Sequence, residues 1–179
     1  MKLSGKLLSK LNKIKLIAMD VDGVLTNGEI IIFDSGAETK IWNVKDRLGF
    51  HLVQRSGADI KLAWITGRAS KQVADRAREI GIDEFYQGCM RKRPAMEMIL
   101  KKYSLKPEQA VFIGDDLIDI PVLKMVGLGV CPKDAPEEVK KEADYISPHA
   151  GGKGVLREIV EAVLKARGFW KAAVKGYID

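Results

Sequence analysis

Short apolar runs that stop abruptly on polar residues, each followed by an amphipathic stretch, set the tightest limit on what this chain can fold into. Lys15–Met19 runs into Asp20, Ile60–Ile65 into Thr66, and Ala110–Ile113 into Gly114 and Asp115. Helix-like segments alternate with these runs. They cover Asp46 to about Arg55 (stopped by Gly57), Ala69–Ile80 (closed by Gly81), Pro94 to about Tyr103, about Leu117 to Val126, Pro136 to about Ala143, and Val155–Arg167. Phe85-Tyr86 and Leu128–Val130 read as further short strands. This order predicts an α/β fold, a Rossmann-like parallel sheet with helices on both faces. One feature breaks the alternation. Glu29–Phe33 and Thr39–Val44 are rich in β-branched and aromatic residues and flank Asp34-Ser35-Gly36, which predicts a β-hairpin inserted after the first strand. With no internal repeat and no long linker, residues 1–167 read as a single domain with its hairpin at about 29–44, followed by a tail over 168–179 that carries Phe169, Trp170 and Tyr177.

The chain has 179 residues, 46% of them hydrophobic, enough for one core and too apolar for disorder. No apolar run approaches the roughly 18 residues needed to cross a bilayer. The basic N-terminus, MKLSGKLLSKLNKIK, lacks a continuous apolar stretch and a small-residue cleavage site, so it reads as an amphipathic lead-in helix rather than a secretion signal. Cys89 and Cys131 form no metal or redox motif and suit a reducing cytoplasm. The net charge of +6 comes without a nucleic-acid recognition motif or aromatic platform, so the expectation is no nucleic acid, no membrane, and an anionic small substrate.

In open α/β sheets the ligand site lies beyond the carboxyl ends of the strands. The residues that follow the apolar runs should therefore meet: Asp20 and Asp22, Thr66, and Asp115 and Asp116, with Lys92 after the weak strand at Tyr86. A phosphate monoester resists attack because nucleophile and ester are both anionic. Its hydrolysis needs neutralised phosphoryl oxygens, an aligned nucleophile and a proton for the leaving oxygen. A hard cation such as Mg²⁺, held by one or two carboxylates, relieves the repulsion. Four aspartates and a lysine supply those parts.

Met19-Asp20-Val21-Asp22-Gly23-Val24-Leu25-Thr26, Ile65-Thr66-Gly67-Arg68, Lys92 and Gly114-Asp115-Asp116-Leu117-Ile118-Asp119 resemble, in order, the four motifs of the haloacid dehalogenase superfamily. The resemblance covers about residues 14–167. It implies that Asp20 attacks phosphorus and forms an aspartyl-phosphate, and that Asp22 serves as acid and then base. It implies that Asp20, the main-chain carbonyl of Asp22, and Asp115 hold Mg²⁺, while Thr66 and Lys92 hold the phosphoryl group. Asp116 and Asp119 would stand behind these, near the metal or orienting Lys92. Taken residue by residue, Asp22-Gly23 also suits a turn, Lys92 also suits a solvated position beside Arg91 and Arg93, and Asp119 also suits a helix cap. His51 reads as structural, and His149, beside Ala150-Gly151-Gly152 in a loop able to reach the site, stays open between a site role and a structural one.

The spacing leaves no room for a cap domain on either side of Thr66. Asn43-Val44-Lys45-Asp46, Tyr86-Gln87-Gly88 and Gly151-Gly152-Lys153-Gly154-Val155-Leu156-Arg157-Glu158 further resemble the capless 3-deoxy-D-manno-octulosonate 8-phosphate phosphatase family. That likeness implies a sugar-acid phosphate substrate, a role in lipopolysaccharide inner-core synthesis, and a homotetramer joined through the hairpin, whose Ile30, Ile31, Ile32, Phe33, Ile41 and Trp42 put apolar groups on both faces. It also implies that Gly67 and Arg68 bind substrate, with Arg68 suited to a carboxylate, and that the segment after the last helix reaches a neighbouring site. Arg47 stands where the family usually has glycine. Two alternatives stay open: a phosphatase for a sialic-type nonulosonate 9-phosphate or another sugar phosphate, and a catalytically idle oligomerisation or regulatory domain of the same fold. A two-component receiver domain places its acidic pair first, its lone acceptor aspartate later and its lysine after the threonine near the end, whereas here Asp20 and Asp22 come first and the second acidic pair, Asp115-Asp116, follows Lys92.

Overall fold

β1 (Leu16–Met19) has every residue buried, and its side chains alternate between two separate cores. Ile17 and Met19 point to one face, Leu16 and Ala18 to the other. That is the pattern expected of a parallel strand covered by helices on both sides. The same alternation holds in β4 (Lys61–Ile65), where Leu62 and Trp64 oppose Ala63 and Ile65, and in β6 (Ala110–Ile113). The structure is a computed structural model, described here for residues 5–178. Residues 1–4 of the expected lead-in helix lie outside the described residues, and α1 (Gly5–Leu11) is the rest of it.

Six parallel strands form the sheet in the order β5-β4-β1-β6-β7-β8, with β5 at Glu84–Tyr86, β7 at Leu128–Cys131 and β8 at Tyr145–Ile146. Helices α2 (Val44–Arg55), α3 (Lys71–Ile80) and α7 (Val155–Ala166) bury their apolar residues in one core. Helices α4 (Lys92–Lys102), α5 (Ile120–Leu123) and α6 (Glu137–Glu142) cover the other face. The expected α/β architecture is what the chain adopts. No cap domain separates the motifs: only the hairpin, α2 and β4 lie between Asp22 and Thr66, and only α3 and β5 between Thr66 and Lys92.

The hairpin is shorter than its sequence suggests. β2 (Ile31–Ile32) pairs antiparallel with β3 (Glu38–Thr39) only, with Ile31 opposite Thr39 and Ile32 opposite Glu38. Val44, expected to end the second strand, instead opens α2, because the Asn43 side chain accepts a bond from the Lys45 amide and starts the helix there. The two limbs differ. Trp42 stacks on buried Trp64 with ring centroids 5.6 Å apart, and Gln72 of α3 donates to Thr39, so the returning limb is docked. Ile32, Phe33 and Ile41 remain 67%, 52% and 64% exposed, which leaves an apolar ribbon uncovered on this chain.

Three other elements depart from the sequence reading. The helix expected from Leu117 to Val126 is a 3₁₀ turn over Leu117–Asp119 followed by the short α5. Strand β8, which the sequence did not announce, extends the sheet by two residues. The tail folds back as α8 (Trp170–Val174), with Ala173 fully buried and Phe169 and Trp170 packed against the α2–α7 core.

Candidate active site

Each strand of the central trio delivers a polar side chain at the point where it leaves the sheet. The Asp20 amide still bonds the Ile113 carbonyl at 2.9 Å, and the Thr66 amide bonds the Tyr86 carbonyl at 2.9 Å. Sheet hydrogen bonding therefore extends one residue past β1 and β4 and fixes the backbone of both site residues. Asp115 follows β6 by two residues. Lys92 arrives from the first turn of α4, which starts two residues earlier than Pro94 suggests.

These residues converge. Lys92, 1% exposed, places its Nζ 2.8 Å from Asp20 Oδ2 and 2.6 Å from Asp119 Oδ1. Its neighbours in the basic triplet, Arg91 and Arg93, are exposed, and Arg93 pairs with Glu97. Asp119 is fully buried and committed. One oxygen takes the Lys92 ammonium, and the other accepts from the amides of Asp115 at 2.9 Å and Asp116 at 3.2 Å. Asp116 is exposed and turned onto its own 3₁₀ turn, where it accepts from the Leu117 amide. Thr66 is 1% exposed beside this group. Gly67 comes so close to Met90 and Ile118 that a Cβ there would lie 3.1 Å from the Met90 sulfur.

Carboxylate oxygens of Asp20, Asp115 and Asp119 lie within 4.8 Å of one another. Burial pushes the Asp20 carboxyl up to about 6, against the pull of Lys92. Burial, reinforced by the charges of Asp20 and Asp119, pushes Asp115 up to about 8. Burial opposes the charge on Lys92, but Asp20 and Asp119 outweigh it and hold the ammonium above its ordinary value. Asp115 Oδ1 is buried without a hydrogen-bond partner. Three carboxylates thus cluster about one ammonium that pairs with two of them, and the third, Asp115, keeps a buried oxygen without a partner. A divalent cation with oxygen ligands fits that set. Gly23 keeps the space open: at φ +84° it approaches so closely that a Cβ would sit 1.9 Å from Asp115 Oδ2.

Asp22 is held differently. Its Oδ1 receives Lys40 Nζ at 2.5 Å, and the lysine side chain is completely buried. The sequence reading passes over Lys40, because a lysine in a hairpin looks like a solvated side chain. The only hint is its place between Thr39 and the Ile41-Trp42 pair, where an inward position is due. Arg68, expected at a substrate carboxylate, pairs with Glu38 of the hairpin at 2.5 Å. Arg47 pairs with Glu79 of α3 at 3.2 Å. The Gly151-Gly152 loop closes the far side. The Gly152 amide donates to the Val24 carbonyl at 2.9 Å, and a Cβ on Gly151 would lie 2.1 Å from the Gly23 carbonyl oxygen. Buried Asp46 accepts from the amides of Gly154 and Arg157 and so anchors the start of α7. His149 is exposed, and its main chain, not its ring, ties the loop to Ser147 and Lys133.

Residues 81–159 match the haloacid dehalogenase-like hydrolase family model. The 3-deoxy-D-manno-octulosonate 8-phosphate phosphatase of Escherichia coli K12 is 41% identical over 165 residues, 92% of this chain and 87% of that protein. The chain belongs to the 3-deoxy-D-manno-octulosonate 8-phosphate phosphatase family. Solved members superpose closely. The Moraxella catarrhalis enzyme, crystallised with a magnesium ion, a phosphate ion and KDO, gives a TM-score of 0.92 at 37% identity, covering 98% of this chain and 99% of that one. The cobalt-bound phosphatase of Haemophilus influenzae gives 0.85 at 35% identity, covering 93% and 95%. Among the described residues no helix is long and apolar enough to cross a membrane.

Proposed function

We propose that this chain is a Mg²⁺-dependent phosphatase that hydrolyses 3-deoxy-D-manno-octulosonate 8-phosphate to the free sugar acid and phosphate, in the cytoplasm, as a step toward the lipopolysaccharide inner core. The observation that carries the reading is Asp20, buried at the exit of β1, bridged to Lys92 at 2.8 Å and set beside the unpartnered oxygen of Asp115. Asp20 and Asp115, with the main-chain carbonyl of Asp22, are the ligands for Mg²⁺, which when bound neutralises phosphoryl oxygens. Asp20 attacks phosphorus, the ester P–O bond breaks, and Asp22 gives the leaving oxygen its proton. Asp22 then takes a proton from water, the water oxygen attacks phosphorus, and the acyl-phosphate P–O bond breaks to release phosphate and restore Asp20. Thr66 and Lys92 hold the phosphoryl oxygens throughout, and Asp119 keeps Lys92 aimed between nucleophile and phosphate. Gly67 lets substrate pass close to the backbone. Arg68 reads the sugar-acid carboxylate after exchanging Glu38 for it, an exchange of one carboxylate for another at the same guanidinium. The uncovered hairpin ribbon supports a homotetramer joined through Ile31, Ile32 and Phe33.

The test is Mg²⁺-dependent phosphate release from 3-deoxy-D-manno-octulosonate 8-phosphate, from a sialic-type 9-phosphate and from a phosphohexose, with Asp20→Asn as control. Preference for the first, lost in the variant, is the expected result. Equal turnover of all three would keep the phosphatase and discard the substrate. No turnover of any would leave the idle-domain reading.

A further inference from the structure

Each aspartate of the Asp20-Val21-Asp22 loop has a buried lysine of its own. Lys92 serves Asp20 and comes from the α/β scaffold. Lys40 serves Asp22 and comes from the hairpin, where its side chain is 0% exposed and its Nζ lies 2.5 Å from Asp22 Oδ1. Lys40 and Lys92 are the two buried lysines among the described residues. Withdrawing an ammonium from water costs several kcal/mol unless a close partner offsets it. Among the described residues, Asp22 is the single carboxylate within ion-pair distance of Lys40. Asp22 stands in a loop, its side chain 23% exposed, and nothing in its own turn sets the direction of its carboxyl group.

We infer that Lys40 is a positioning residue, which locks the Asp22 side chain in one direction so that its second oxygen meets the leaving group. The inference rests on the reaction proposed above, in which Asp22 passes a proton to the ester oxygen. A charge-assisted bond to one oxygen removes the rotational freedom of the carboxyl group and leaves the other for proton transfer. Docking of the hairpin is thereby tied to chemistry. Trp42 on Trp64 and Thr39 with Gln72 hold the limb that carries Lys40. Without a cap domain, this limb is the element that reaches the acid from outside the sheet.

The test is single-turnover kinetics of Lys40→Met in the full-length, Mg²⁺-loaded protein, with two esters. p-Nitrophenyl phosphate has a leaving group that departs without a proton, and 3-deoxy-D-manno-octulosonate 8-phosphate has one that needs it. Lys40→Met should slow sugar release by about tenfold or more, because general-acid catalysis is worth on the order of a hundredfold or above. Its p-nitrophenolate burst should stay within about threefold of the parent. In an Asp22→Asn background the same substitution should change sugar release by less than about twofold, as expected when two residues act as one unit. Lys40→Arg should restore part of the sugar burst, and calorimetric Mg²⁺ affinity should be unchanged in Lys40→Met. Equal slowing of both bursts, no slowing of either, or an equal further loss in the Asp22→Asn background would overturn the assignment. Failure of the substrate reading is seen in the parent protein alone, as cleavage of other alkyl phosphates in preference to the octulosonate. The ratio is then read on the best alkyl ester. No burst from the parent with either ester overturns both readings.

Discussion

Lys92 is the residue on which most of the site's charge balance depends, since it faces two buried carboxylates at once. Lys92→Met leaves Asp20 and Asp119 without their cation in a closed space. We expect a loss of about 3 kcal/mol in urea unfolding, the scale seen when one partner of a buried ion pair is removed, and phosphatase activity below about 1% of the parent. Asp115 makes the opposite kind of contribution. Its carboxyl is raised to about 8 by burial and by like charges, so the folded metal-free protein holds a proton there that the unfolded chain has already released. The associated stability is present in full below about pH 4 and is lost as pH rises toward 8. Asp115→Asn should therefore match the metal-free parent near pH 4 and exceed it at pH 8 by on the order of a few kcal/mol, while its calorimetric Mg²⁺ binding disappears. Gly23→Ala combines a forbidden φ with a Cβ 1.9 Å from Asp115 Oδ2, and should lose at least about 2 kcal/mol together with metal binding. Legibility at this scale followed chemistry. Asp20, Thr66 and Asp115 were readable because a polar residue after a buried run has few structural uses. Lys40 was not, because the sequence does not say which side of a two-stranded ribbon faces inward.

Strands β1, β4 and β6 were readable almost to the residue, since their buried runs are bounded on both sides by polar or flexible residues. Two-residue elements were not. β8 has too few residues to show a period, and the hairpin strands end where Asn43 begins a helix, a capping effect that outweighs the β-branched Val44 beside it. Helix α8 was hidden by the glycines at 168 and 176, which read as a loose tail. Yet Arg55 donates to the Lys175 carbonyl at 3.1 Å and lies over the Tyr177 ring at 5.0 Å. Those contacts place the tail at the end of α2 opposite Val44, whereas Asn43 at the other end donates to the Gly152 carbonyl, and the Gly152 amide bonds Val24 just after the Asp20-Val21-Asp22 loop. Removal of residues 170–179 should therefore act on stability. We expect a melting temperature lower by several degrees, from exposure of the Ala173 contact and of the apolar surface under Trp170, and single-turnover phosphate transfer within about threefold of the parent. A loss of transfer without a loss of stability would instead assign the tail to a site.

At the scale of the whole molecule, the apolar ribbon of the hairpin is the surface this chain leaves unfinished. If the proposed homotetramer forms, Ile32→Asp with Phe33→Asp should leave circular dichroism unchanged and shift sedimentation to a lighter species, because charge cannot be buried at a joined ribbon without a partner. The order β5-β4-β1-β6-β7-β8 has a different consequence, for the chain during synthesis. β1 precedes the other five strands of this sheet and lies near its centre, but its two neighbours arrive only at Lys61–Ile65 and Ala110–Ile113. A nascent chain that ends between β4 and β6 therefore carries an all-apolar strand with one edge bare, the state in which chaperones or stray strands find a template. Asp115 and Asp119 are made later still, so a fragment ending before β6 leaves Lys92 with Asp20 as its single partner in the cluster. A chain cut short before β6 should therefore aggregate rather than act as a weak enzyme.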